Sequence, residues 1–590
     1  MTTFWGASSK IPVKQTSTAI SSQNGLQYSA GQVIHIDIPP SVKFIQPRES
    51  VLQFDFKISN PVNASNGHTR LQLDAEIGGQ SLIRDIRIYS SPENGGVLLE
   101  EIQNYNAMVS IKNSYDTDDS LKNKRAISGE GTTTYKPQNR GTQGTPKSMC
   151  ADLTTNPYFV SSEAGNHAIP FTNSSFTTCK MQLPLHTGIW SSDKVFPNLL
   201  TGCRIEIVLE DADRCLRQLE SAIFENRCSL NPVFDSENGS NTATKSDIGN
   251  ASAITEFYIQ KLNNNLTPQS CPFVVGECIS FVDPTGDPNN LATFTNGSGI
   301  VAPRILQINS SATASTNAGL IQIVLDNTYT MNKAITITKG WVVCSVSARE
   351  STDFRPSYTV SNVEMLVQEL DMGQTYENSM RKSMTEGGVI GYDILTATNY
   401  KYSQLQSDIV ANIRLPLVES RARAICCMAT DSTSYLSQDR VSGKGTYDIN
   451  GAFDGYTTSN STRTGLTGIS DNISSYQFNY QGKLNPSRLV SCVKTSSKKS
   501  IDAQPVIELE KALVQSGIPA RSFADFNNNF IIGRSFSLNM GVYDTRNKDF
   551  NLMVNYQVPN SPQTKNKLWY NFVFAIRRIN IKGDSINVIV

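Results

Sequence analysis

The residues that could do chemistry in this chain are few and scattered. Its four histidines are His35, His68, His167 and His186. None stands in an H-x-H or HExxH pair, the spacings that place two imidazoles on one metal ion. The eleven cysteines are spread along the chain and odd in number. Cys271 and Cys278 are too far apart for a CxxC knuckle. Cys426 and Cys427 adjoin in a strand-like run, where neighbouring side chains point to opposite faces, so they read as packing residues. Cys179 or Cys203 with His186 could supply a thiol–imidazole nucleophile, but closeness in sequence is all that joins them. Glu100-Glu101 and Asp118-Asp119 are paired carboxylates, and adjacent acids are ordinarily solvated. Arg421 and Arg423 flank Ala422 at strand spacing and read as a solvated face rather than a phosphate site. No GxxxxGK[ST] loop and no GxSxG elbow is present. The expectation is a chain that is not an enzyme and holds no cofactor and no metal. A glycosidase built on carboxylates alone would escape this reading.

What would have to position such residues is a β-rich scaffold. The 590 residues are 38% apolar and 18% charged, and Asn, Ser, Thr and Gln fill much of the difference. That composition favours strands joined by polar loops, and the length suggests about two to four domains. The formal net charge is zero, which argues against a strongly basic nucleic-acid binder and makes self-association easy. The scattered cysteines suit free thiols in a reducing compartment. No stretch approaches about 18 apolar residues, so no transmembrane segment is expected, and the start of the chain has no apolar signal-peptide core.

The central stretch runs from Tyr358 to Tyr402. Val363, Met365 and Val367 alternate with Glu364, Leu366 and Gln368, as in a strand with one buried face. Tyr376, Met380 and Met384 follow at helical spacing, Gly387-Gly388 ends the helix, and Tyr392, Ile394 and Thr396 resume a strand. This is a hinge between two β-modules, with Tyr376, Met380 and Met384 as the coupler between them.

Residues 1–24 read as an N-terminal arm, with Phe4 and Trp5 as an aromatic anchor and Lys10 and Lys14 as its charge. Strands are expected at Val33–Ile38, Val51–Ile58, Leu71–Ile77 and Leu82–Tyr89, and a helix over Leu98–Met108. A long exposed loop follows from Asn113 to Thr178, then strands at Cys179–Leu185 and Cys203–Leu209. Residues 211–357 differ in texture and read as an insertion with its own small β-fold. After the hinge, strands are expected at Val389–Tyr402, Ile409–Leu417, Ala424–Met428, Tyr476–Tyr480, Phe536–Val542, Leu552–Val558 and Leu568–Ile581. A helical stripe of Val506, Leu509 and Leu513 is closed by Gly517 and Pro519. Many short strands, long connections and one or two helices per module suit a jelly-roll sandwich.

Several stretches resemble the major capsid proteins of polinton-like viruses and virophages, in that family's order. They are NGLQYSAGQVIHIDIPPSVKFIQPRESVLQFDF, IGGQSLIRDIRIYSS with LLEEIQNYN, PLHTGIWSSDKVFPNLLTGCRIEIVL, YTVSNVEMLVQELDM, FNYQGKLNP, and IELEKAL followed by FIIGRSF. The resemblance implies an all-β fold of two tandem eight-stranded jelly-roll sandwiches, a double jelly roll, with short helices and a large β-rich loop insertion. It divides the chain into the arm 1–24, a first jelly roll 25–372 with insertion 211–357, and a second jelly roll 373–590. It implies a major capsid protein whose homotrimers, pseudo-hexameric in outline, tile an icosahedral shell around double-stranded DNA. The expected partners are neighbouring capsomers, penton and minor capsid proteins, with no sequence-specific nucleic acid. The expected location is the virion, assembled inside the host cell. The alternatives are a minor capsid or vertex/fibre protein of such a virus, or a β-rich carbohydrate-binding protein.

Overall fold

A computed structural model describes residues 14–59, 71–74, 77–90, 96–116, 121, 124, 125, 128–130, 179–218, 247–260, 279–282, 292, 294–296, 300, 301, 303–310, 320–338, 341–345, 357–432, 466, 468–470, 473–492, 503–521, 529–536, 541–556, 566–582 and 585–589.

The first sandwich is made of β1 (Lys14–Ser21), β2 (Gln27–Ser29), β3 (Val33–Ile38), β4 (Val51–Ser59), β5 (Leu71–Leu73), β6 (Ile83–Tyr89), β7 (Leu98–Ile102), β8 (Cys179–Pro184) and β9 (Cys203–Leu209). It is completed far along the chain by β18 (Ser357–Asp371). One sheet has the order β1-β18-β4-β8, with β2 carrying on the β1 edge, and the facing sheet has the order β3-β9-β6-β7. The second sandwich comprises β19 (Ile390–Gln404), β20 (Val410–Arg414), β21 (Ala422–Asp431), β22 (Ile473–Tyr480), β23 (Lys483–Ser491), β24 (Ile532–Ser535), β25 (Phe550–Tyr556), β26 (Lys567–Lys582) and β27 (Ser585–Ile589). Its sheets have the orders β19-β26-β21-β24 and β20-β25-β22-β23, and β27 folds back on the end of β26.

Numbering the eight principal strands of each sandwich along the chain gives the same two sheets both times: 1-8-3-6 and 2-7-4-5. That is the jelly-roll order, and every pairing in it is antiparallel. The chain is therefore a double jelly roll. Each unit places a helix between its fifth and sixth strands: α1 (Tyr105–Asp116) in the first, and a second helix (Ala503–Gln515) in the other.

Alternation accounts for the strands. In β18, Val363, Met365 and Val367 are buried while Glu364, Leu366 and Gln368 are partly exposed. β26 breaks this pattern, because Trp569, Tyr570, Phe572, Val573 and Phe574 are all buried. The strand is covered on both faces. The insertion lies between the seventh and eighth strands of the first sandwich. It holds β10 (Leu216–Gln218), β11 (Ala253–Gln260), β12 (Ile279–Val282), β13 (Phe294–Thr295), β14 (Ile300–Val301), β15 (Ile305–Ser310), β16 (Leu320–Met331) and β17 (Val342–Ser345). Phe257, Phe281, Phe294, Ile323 and Val343 build a core there that is separate from the main one. Among the described strands of the insertion, β10 pairs with β5 of the first sandwich.

Four expectations are corrected. Lys14–Ser21 is not arm but β1, paired along β18 from Lys14↔Asp371 to Ser21↔Glu364. The helix read over Leu98–Met108 splits: Leu98–Ile102 is β7, and Asn104, at φ 53°, turns the chain before α1 begins. Asn113–Asp116 is the buried last turn of α1 rather than exposed loop. Of the strand read at Phe536–Val542, Phe536, Gly541 and Val542 are not in a strand and residues 537–540 lie outside the described residues; a strand stands just before, at Ile532–Ser535, where Gly533 lets the second helix approach. A Cβ on Gly533 would stand 2.8 Å from Leu509 Cδ1.

Candidate functional site: the seam between the sandwiches

The coupler comes first in chain order. Gly373, at φ 82°, turns β18 into α2 (Gln374–Thr385), and α3 is the helix Ala503–Gln515 already described. Both helices stop the same way. Gly388 N–H reaches Ser383 O past Gly387 (φ 86°), and Ile518 N–H reaches Leu513 O past Gly517 (φ 71°). Met380 is buried against Phe44, Leu199, Leu370 and Met372. The Tyr376 ring meets Phe44 edge-on at 5.7 Å, and burial pushes its hydroxyl up to about 12. Met384 joins the main core. Glu377 is buried and accepts a 2.6 Å hydrogen bond from Lys43 Nζ, whose own pKa that bond raises. The helix is thus attached to the first sandwich, with Ile390 of the second packed beside it. Of the arm residues, Phe4, Trp5 and Lys10 lie outside the described residues, and Lys14 is exposed at the start of β1.

A second joint lies elsewhere, where β7, α1 and the turn after β8 meet β19, β26 and the segment after α3. Its centre is Glu100, which is not solvated as its pairing with Glu101 suggested but 1% exposed. Its carboxylate accepts from Gly188 N (2.6 Å), Ile189 N (3.0 Å) and, across the seam, Thr396 Oγ1 (2.6 Å). Burial pushes the carboxyl above its usual range, and these three donors pull it partly back. Glu101 is the outward acid and pairs with Arg87 at 2.9 Å.

Further bonds cross on either side. Asn399 Nδ2 donates to Asn104 Oδ1 (3.1 Å), Tyr392 OH to Lys194 O (2.9 Å), and Tyr115 OH to Asn529 O (2.7 Å). Asn529 Nδ2 donates to Ser114 Oγ (2.6 Å), Arg521 Nε stands 3.3 Å from Asp116 Oδ1, and Arg214 donates to Tyr570 OH. Phe196 and Tyr392 meet edge-on at 5.6 Å. The approach is close enough to need glycine. A Cβ on Gly188 would stand 2.7 Å from Leu395 O and 3.1 Å from Ile394 Cβ.

Among the described residues, those singled out for chemistry are placed apart or occupied; His68, His167, Asp118, Asp119, Cys271, Cys278 and the Cys179 side chain lie outside them. Cys203, Cys426 and Cys427 are buried; burial pushes the first two thiols up to about 12 and the third well above its ordinary value. None is a thiolate at neutral pH. His186 faces Glu130 and Lys112 rather than a thiol. Arg421 and Arg578 share Asp393 (3.1 and 2.7 Å), and Arg423 donates to Gln515 at 3.1 Å. Their side chains are committed to the protein itself. Among the described residues no group of three or more potential ligands is arranged to hold a metal ion, and no helix is long and apolar enough to cross a membrane. Sequence reasoning missed Glu100, Tyr115 and Asn529 as joint residues. The one available signal was a Glu inside an apolar run, LLEEI.

No protein family matches the sequence, and no curated protein does. Among solved structures the chain is similar to the PBCV-1 virus capsid, with a TM-score of 0.47 and 10% identity over 98% of this chain and 97% of that one. It is similar to the Faustovirus major capsid protein, with a TM-score of 0.46 and 9% identity over 98% and 91%. It is also similar to the Sputnik virophage structure, with a TM-score of 0.43 and 12% identity over 98% and 88%. At these identities the likeness concerns fold alone, and the double jelly roll stands on the strand order of the chain itself.

Proposed function

We propose that this chain is a major capsid protein whose homotrimers tile an icosahedral shell enclosing double-stranded DNA. The observation that carries the reading is the duplication: one strand plan, used twice, with the two units held at a set angle by a buried seam. Three chains, each supplying two like units, approximate a hexagon, and a hexagon tiles a surface. A closed trimer needs one head-to-tail contact repeated three times. The ordered sequence resemblance to capsid proteins points the same way. On this reading the virion is where the protein works, and neighbouring capsomers, penton and minor capsid proteins are its partners.

We divide the chain at Met372 into two jelly rolls, with 211–357 as an insertion in the first that forms a tower on the outer surface. Light scattering and negative-stain imaging of the purified protein test the function. A three-fold particle with a hexagonal base is expected. A monomer at every concentration and ionic strength tried overturns the reading.

A further inference from the structure

Beside α1 lies a buried ionic cluster that neither the seam nor the coupler explains. His186, two residues before Gly188, has a side chain 9% exposed. Lys112 Nζ stands 2.6 Å from its Nδ1, and Glu130 holds its Nε2. Burial lowers the Lys112 pKa, against Glu130 and Asp116, which raise it; as an ammonium Lys112 can only donate, so Nδ1 accepts, and the ring proton sits on Nε2 and is donated to Glu130. The imidazole is therefore neutral, set between a cation and an anion.

Among the described residues, further groups face it from the neighbouring elements. The Tyr105 hydroxyl of α1 accepts from His186 N (2.8 Å) and donates to Gln80 Oε1 (2.9 Å). Arg125 stands 3.8 Å from Glu130 and 3.3 Å from Asp116, and Asp116 is also held by Arg521 of the second sandwich at 3.3 Å. Arg48 and Glu100 add charge from farther off. Burial and the Lys112 charge lower the His186 pKa, against the pull of Glu130. Burial alone would raise the Glu130 carboxyl, but His186, Arg125 and Lys112 hold it down to about 2. Glu130 therefore stays ionised through the range in which a histidine titrates.

We propose that His186 is an acid-operated pin. A proton on Nδ1 destroys the acceptor that Lys112 uses and sets two cations against each other, which releases α1 from the turn carrying Gly188 and Ile189. Those two residues hold Glu100, and Glu100 holds Thr396, so the release loosens the seam. The sign follows from linkage. The opened form has a histidine near its ordinary value of about 6.5, the closed form a lower one, so the opened form takes the proton first. Opening is favoured as pH falls below about 6.5, by up to about tenfold per pH unit, until the closed-form value is passed. Glu100 titrates with the opposite sign, because burial makes its closed form hold a proton more tightly.

Hydrogen exchange of the full-length protein, scaled to the intrinsic rate at each pH, tests this without reference to assembly. In wild type, opening of peptides covering 105–116 and 185–190 is expected to rise up to about tenfold per pH unit below about pH 6.5. In His186→Gln the amide accepts from Lys112 and donates to Glu130 but does not titrate, and the rise is expected to vanish. In Lys112→Gln the imidazolium gains a neutral acceptor beside Glu130, and acid is expected to tighten the cluster. Equal acid opening in wild type and His186→Gln overturns the proposal, as does none in wild type. If His186→Gln does not fold, NMR titration of wild type decides, since there are four histidines to assign. A His186 value clearly below the ordinary one supports the pin, and one at or above it sinks the idea.

Discussion

A carboxylate buried away from solvent must be held by donors, and Glu100 has three, from two parts of the chain that meet only in the fold. Hydrogen bonds to charged groups contribute about 1.5–3 kcal/mol, so Thr396→Val is expected to lower stability by about that amount. Thr398→Val, which removes an acceptor from Arg577 at a partly exposed site, is expected to cost less. Urea unfolding midpoints of the two variants check the order. The pH dependence has a definite sign. The folded protein holds the Glu100 proton more tightly than the unfolded chain, so the contribution is full below the unfolded value and is lost as pH rises through the folded one. Wild type is therefore expected to lose stability relative to Glu100→Gln between acid and neutral pH. A gain over that range would show that the three donors outweigh burial. Cys426 and Cys427 were legible as packing residues because strand geometry alone decides that. Glu100 was not legible, because what surrounds it arrives from residues 188, 189 and 396.

At the scale of elements, two devices join the sandwiches: the coupler helix α2 and the seam. α2 is fixed mainly to the first sandwich, by Met380 and by Glu377 on Lys43, whereas the seam binds both units directly. A Gly-Ser run inserted after Met372 is therefore expected to leave the angle between the units nearly unchanged. Gly188→Ala, which drives a Cβ to 2.7 Å from the Leu395 carbonyl oxygen, is expected to disturb the seam and cost about 1–3 kcal/mol as an overpacking change. Gly391→Ala, within β19 itself but with its nearest atom at 3.5 Å, is the control and is expected to be tolerated. Hydrogen exchange across β7 and β19 distinguishes them. If the insertion loosens β19 more than Gly188→Ala does, the coupler and not the seam sets the angle. Most strands were legible because apolar residues alternate with a period of two. The misreading at Leu98–Met108 arose because Leu98 and Ile102 are four apart, which satisfies a helix as well as a strand. The positive φ of Asn104, which separates β7 from α1, leaves no such periodic trace.

At the scale of the whole molecule, the duplication was visible in the sequence only as two β-rich halves, because strand order depends on pairings such as β1 with β18, made across the entire first unit. That same long-range closure makes the insertion separable. Its ends are brought together by the sandwich: Glu210, just after β9, accepts from the Tyr358 hydroxyl of β18, receives Asn106 Nδ2 at 2.8 Å on its side chain, and is 1% exposed. The gap is thus closed by residues outside the insertion, and a loop between nearby ends needs few residues. The insertion in turn buries Phe257, Phe281 and Phe294 among its own residues, with ring centroids 4.9 and 5.8 Å apart in succession. Replacing residues 219–355 by a short Gly-Ser linker leaves Arg214 on Tyr570 and the β10–β5 pair in place. The shortened chain is expected to fold with both sandwiches intact, with exchange protection across β7 and β19 like that of the full chain. Light scattering of the same sample then separates two roles for the insertion. An unchanged trimer fits a tower standing clear of its neighbours, whereas a monomer with an intact seam would show that 211–357 is itself the contact between subunits.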